Sequence, residues 1–203
     1  MTKKGLKENI YDFYSNILLA YGYKPDKGHD CFKKRTGLGC CYIAFGIVDY
    51  NPEQRISFSV SVRHNQVEKI CNRYLETRPN WASNSITLME NINGPGQKKS
   101  GKHLFYSVTN MDDMHQMLIE VLPEIKTKGF EFLDKYSSLD EVERKINDID
   151  RHNRIFFSNH FAFRSLVVAK LCNRKNFEEL VTYYQAEFER LPDKFLYPDK
   201  FYA

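Results

Sequence analysis

Between Arg55 and Arg63 the chain alternates residue by residue. Ile56, Phe58, Val60 and Val62 are apolar, while Arg55, Ser57, Ser59, Ser61 and Arg63 are polar. Successive side chains of a strand point to opposite faces, so this period of two lays an apolar row on one face and a basic hydroxyl row on the other. The pattern predicts an antiparallel strand covered on one side only. Upstream, Cys40–Val48 is apolar on both faces and predicts a central strand. The turn residues Asp49–Gln54 join the two as a hairpin. Shorter strands are expected around Cys31–Arg35, Ser85–Met89 and Leu104–Thr109.

Helical spacing takes over elsewhere. Leu6, Ile10, Phe13, Ile17 and Tyr21 recur every three or four residues, the apolar stripe of a first helix that Gly22 is placed to end. Val67–Glu76 reads as a helix stopped by Pro79. Asn110 should cap a long helix whose first turn carries Asp112 and Asp113, the charge sign that suits a helix N-terminus. Met114, Leu118, Val121 and Ile125 line its inner side, and Pro123 is expected to kink or restart it. Ser138–Glu141 has capping-box spacing ahead of a helix over Leu139–Ile149. Phe161–Cys172 and Phe177–Arg190 form a closing helix pair, with Phe177, Leu180, Tyr184 and Phe188 inside. The expected fold class is α+β: an antiparallel β-sheet packed with an N-terminal helix, followed by a C-terminal helical layer. Residues 1–110 form the sheet portion and 111–203 the helical portion, packed on it as one compact unit.

Some of these segments resemble a known kind of protein. The run from Phe13 to Tyr23 ends in a glycine–aromatic pair, Cys31-Phe-Lys-Lys-Arg35 follows, and two apolar strands come next. This opening resembles bacterial domain-of-unknown-function proteins, and the segments Leu122–Ile125 and Phe132–Tyr136 are similar to their helical half. The resemblance implies an N-terminal helix, an antiparallel sheet and C-terminal helices. Such families include suspected toxin-neutralising immunity proteins, and no functional residue carries over from them.

Composition narrows the class. With 42% hydrophobic residues, 15 Phe and 13 Tyr in 203 residues, a packed core is within reach and the composition argues against a disordered chain. No apolar run approaches the roughly 20 residues of a membrane span. Met1–Lys7 lacks the apolar core of a signal peptide. The five cysteines are odd in number and show no Cys-x-x-Cys spacing, which reads as free thiols in a reducing compartment. A cytoplasmic protein without membrane association is expected. The net charge of +4 is uneven: residues 1–110 hold 16 Lys/Arg against 9 Asp/Glu (+7), and residues 111–203 hold 14 against 17 (−3). The first half could attract an acidic partner or a phosphate backbone, and the second half weakens that attraction.

Candidate chemistry is sparse. Gly96–Lys102 has the Gly-x-x-x-x-Gly-Lys spacing of a phosphate loop, but His103 stands where a magnesium-binding hydroxyl belongs and a strand follows where a helix is needed. The six histidines show no metal-ligand spacing. Asp148, Asp150, His152 and Arg154 read as a polar helix end, and no Gly-x-Ser-x-Gly elbow is present. No catalytic residue, metal ligand or cofactor is expected. What remains is the polar face of Arg55, Ser57, Ser59, Ser61 and Arg63, a flat surface whose arginines could meet carboxylates or phosphates. Arg55 and Arg63 lie roughly 26–27 Å apart along a strand, at about 3.3 Å per residue, which suits a protein partner better than a metabolite. Trp81 is a further candidate anchor. The leading expectation is a non-enzymatic protein-binding module, an immunity-type neutraliser of a toxin among the options. The alternatives are a nucleic-acid or phosphate binder, which the charge split disfavours, and an enzyme with a scattered site.

Overall fold

The computed structural model describes residues 2–75, 77, 79–100, 103–148 and 159–189. Helix α1 (Lys3–Leu19) starts at Thr2, whose hydroxyl accepts the Gly5 amide at 3.2 Å and so satisfies a donor the first turn leaves free. Gly22 ends it in a left-handed conformation, φ +84°, and the Tyr23 amide turns back onto the Leu18 carbonyl at 3.0 Å. The buried stripe differs from the expected one. Leu6, Ile10, Tyr11, Tyr14 and Leu18 face inward, whereas Phe13 and Ile17 are half-buried and Tyr21 is exposed. Both stripes are apolar at helical spacing. The tyrosine side prevails because its hydroxyls reach carbonyls: Tyr11 donates to Asp26 at 3.1 Å and Tyr14 to Leu118 at 2.8 Å.

Strands β1 (Lys24–Asp26), β2 (Cys31–Arg35), β3 (Gly39–Tyr50) and β4 (Glu53–His64) follow, and β3 and β4 are neighbours in the sheet. Ile56, Phe58, Val60 and Val62 are all buried, so the alternating segment turns its apolar row to the core. Helices α2 (Asn65–Tyr74) and α3 (Pro79–Ala82) lead to β5 (Leu88–Ile92), which begins three residues later than its sequence suggests. A short strand β6 (Lys98–Ser100) and β7 (His103–Val108) complete a seven-stranded sheet of order β1-β2-β3-β4-β7-β6, with β5 also paired to β4.

Helix α4 (Met111–Glu124) is capped by Asn110, whose side chain accepts the Asp113 amide at 2.9 Å. Beyond Pro123 the chain makes one π-helical turn, Ile125–Gly129, before α5 (Phe130–Lys135) resumes. Ser138 occupies the N-cap of α6 (Leu139–Ile146) but makes no capping bond, so the expected box does not form; Glu141 pairs with Arg144 instead. Helices α7 (Asn159–Leu171) and α8 (Phe177–Glu189) pack against each other, turned at Asn173 with φ +52°. The fold class is α+β. Among the described residues no helix is long and apolar enough to cross a membrane.

The chain forms two compact units, one of Met1–Arg63 with Leu88–Ser137, the other of His64–Thr87 with Ser138–Ala203. The boundary expected at residue 110 instead lies within the first unit. There α4 joins the sheet layer, with Tyr14 bonded to it at Leu118 and its Met114, Leu118 and Val121 side chains buried. The second unit holds a core of Ala162, Ala169, Leu180 and Tyr184. It also holds a buried ion pair. Glu68 is 0% exposed, and Arg164 grips it through both oxygens, Nε at 2.7 Å and Nη2 at 3.1 Å. The Thr87 hydroxyl donates to the same carboxylate at 2.9 Å and accepts the His64 amide at 2.9 Å.

Candidate functional site in the first unit

The sheet of the first unit contains a fork. Gln54–Ile56 of β4 pair with Val108–Tyr106 of β7, while Phe58–Val62 pair with Ile92–Leu88 of β5. With β3 on one edge of β4, the other edge is shared by two strands, and the register breaks at Ser57. Continuing either ladder by one residue would bring Phe105 or Asn93 opposite Ser57, and neither pairs there. The break has a local cause. Ile92 is followed by Asn93-Gly-Pro-Gly96, where Pro95 lacks an amide donor and Gly96 is left-handed at φ +73°, so the strand cannot continue. β6 and the first half of β7 leave the sheet as a small hairpin of their own.

Gly94 lies at the base of that hairpin, where an added Cβ would run into the Tyr106 hydroxyl. Gly94→Ala is therefore expected to cost about 1–3 kcal/mol in denaturant unfolding. Adding Tyr106→Phe, which removes the obstructing oxygen, should recover part of the loss. A Gly94→Ala variant as stable as wild type would mean the hairpin base is not close-packed.

A cleft of about 320 Å³ opens at the fork, bounded by Ser57, Asn91, Asn93, Arg55, Leu104 and Tyr50 among others. Its ordering centre is Arg55. The guanidinium carbon lies 4.1 Å from the Tyr50 ring centroid and 4.4 Å from that of Phe105, residues of the strands on either side of β4. Glu53 takes one edge through Nε at 3.3 Å and Nη2 at 3.4 Å. The Ser107 hydroxyl, then Arg55 and Lys98, outweigh the cost of burial and hold the Glu53 carboxyl below its usual value. The rim is apolar and open: Val48 is 54%, Tyr50 55% and Leu104 37% exposed.

The five residues of the polar row share one face of β4 but not one environment. Arg55 is half-buried and engaged as described, Ser57 is exposed, Ser59 is half-buried and Ser61 is buried. Arg63, half-buried, lies near Tyr42, where its positive charge opposes the rise that burial imposes on that phenol. Sequence reasoning missed Tyr50, Asn91, Asn93 and Phe105. The one available signal was the Asn-Gly-Pro-Gly run after a strand, which marks where a ladder must stop.

The other candidates fall differently. A wider recess beside Lys24, Lys27, Lys33 and Arg35 is basic, with the Lys27 and Lys33 amines lying over the Tyr11 and Tyr42 rings. Within the phosphate-loop-like motif, Gly101 and Lys102 lie outside the described residues. The residues after them form β7, and Gly96 abuts the Glu120 carboxylate, which would repel a phosphate. Ile149–Ser158 and the Trp81 side chain also lie outside the description, which leaves Asp148 alone of its cluster. Burial pushes the Cys31 and Cys71 thiols up to about 12 and the Cys172 thiol, beside Asp140, to about 11, away from the thiolate form a nucleophile needs. Among the described residues no three His, Cys, Asp or Glu side chains gather as a metal site. Comparisons with family models, curated proteins and solved structures each return no match.

Proposed function

We propose that the chain is a non-enzymatic protein-binding module that docks its partner on the outer face of the β3–β4–β7 sheet. The observation that carries this reading is the fork cleft, in which a guanidinium stacked on two rings stands among exposed apolar residues and uncharged polar ones. Arginine and aromatic residues are the types enriched at interface centres, and such a mixed patch suits a protein surface. An immunity-type role, which the sequence resemblance suggests, adds that the partner is a toxin; rescue of growth on co-expression with a toxin encoded next to this gene tests it.

A photo-crosslinking side chain placed at Val48 should capture a protein in cells of the native host, whereas one at Tyr74, also exposed but in the second unit, should not. The captured partner, once purified, should bind the Arg55→Ala/Arg63→Ala double variant more weakly than wild type, with folding checked by circular dichroism. Equal capture at both positions, or unchanged affinity, would remove the outer face as the docking site. Submicromolar affinity for a generic duplex at physiological salt would move the chain to the nucleic-acid class, because phosphate contacts without specificity weaken steeply with salt.

A further inference from the structure

We infer that the cleft at Ser57 seats an acidic side chain of the partner's docking segment, next to an aliphatic residue on the rim. This rests on the protein-binding reading above and names the chemistry it recognises. Arg55 is fixed before any ligand arrives: Tyr50 and Phe105 pack on it from neighbouring strands and Glu53 holds Nε and Nη2. Among the described residues its Nη1 has no hydrogen-bond partner. A guanidinium already immobilised loses little conformational freedom when a carboxylate docks, and its planar fork matches that group.

The charge around the cleft is also incomplete. Among the described residues that line the cleft Arg55 alone is charged, and Glu53, outside the lining, engages only its Nε and Nη2, so the lining itself is positive. Ser57, Asn91 and Asn93 add uncharged donors, all three exposed, and Val48 and Leu104 offer the apolar rim. A volume of about 320 Å³ stands at the lower end of small-molecule sites and suits one or two side chains of an extended segment.

The test selects a random peptide library on the full chain, then titrates an enriched synthetic peptide against Ser57→Asn and Ser57→Asp. Ser57 is exposed beside Gly46, so either side chain fits on the outer face, and circular dichroism checks that both variants fold. The two replacements match in size and differ in charge. Enriched peptides should carry Asp or Glu beside Val, Leu or Ile. The Ser57→Asp variant should bind about tenfold more weakly than Ser57→Asn, since two carboxylates would share the cleft. That gap should close in about 1 M salt. Peptides without an acid, or equal affinity for the two variants, would overturn the acidic segment while leaving the protein-binding reading intact. A selection that yields no peptide would overturn it as well. The broader reading stands or falls separately, on the Val48 crosslink.

Discussion

Arg164→Ala should destabilise the second unit by about 3–5 kcal/mol in denaturant unfolding, because it leaves the fully buried Glu68 carboxylate without its cation. Replacing both partners, as Glu68→Leu/Arg164→Met, should cost far less than the two single losses added, since no uncompensated charge remains. The pair also sets a pH dependence. Burial alone would push the Glu68 carboxyl up, but the hydrogen bonds and charge of Arg164, with Ser85 and Thr87, outweigh it and hold the group below its ordinary value. A carboxyl depressed in the folded state contributes its stability in full above its unfolded pKa, about 4.3, and loses it as pH falls from there through the folded value. In Arg164→Ala only the Ser85 and Thr87 hydroxyls still oppose the burial, so protonation relieves the stranded charge. The gap between variant and wild type should narrow on going from pH 7 to about pH 4. A cost below about 1 kcal/mol at neutral pH would mean that Glu68 finds water or another partner.

Phe58→Ala should cost a similar 3–5 kcal/mol, the range for truncating a phenylalanine inside a packed core. Phe58 is 2% exposed, and its ring centroid lies 6.1 Å from that of Tyr14 on α1 and 6.3 Å from that of Phe45 on β3. One residue away, Ser57→Ala should change stability by less than about 0.5 kcal/mol, because it trims an exposed hydroxyl. Urea unfolding of the two variants side by side measures the two faces of one strand. A Phe58→Ala loss below about 1 kcal/mol would mean that the cavity collapses or refills.

That contrast also marks how far the sequence could be read. Which face of β4 turns inward is a local property: alternation alone places Phe58 in and Ser57 out, and the strand follows it. The environment of Arg55 is not local, since its two rings arrive on β3 and β7 and no spacing within β4 announces them. The late start of β5 has the same origin. Ser85–Thr87 has strand composition, but the Thr87 hydroxyl is committed to Glu68 and to the His64 amide, so pairing with β4 begins at Leu88. In α1 the competing stripes were equally apolar, and the choice fell to hydroxyls that could reach carbonyls outside the helix. Local pattern thus marked most elements and the two faces of β4, whereas the inner face of α1, the fork, the stacked arginine and the buried pair depend on which distant segments meet.

The division of the chain between the two units bears on its synthesis. The second unit is made in two instalments, His64–Thr87 and Ser138–Ala203, with a sheet-forming segment of the first unit between them. Glu68 and Arg164 are 96 residues apart. At roughly 5–20 residues per second, a ribosome adds the arginine about 5–20 s after the glutamate. For that interval α2 carries an acid whose native place has no counter-charge, so its burial must wait. A transcript truncated anywhere before codon 164 would yield a chain that holds the carboxylate but can never acquire the cation, and quality-control proteases should clear it even where the nascent sheet has already formed.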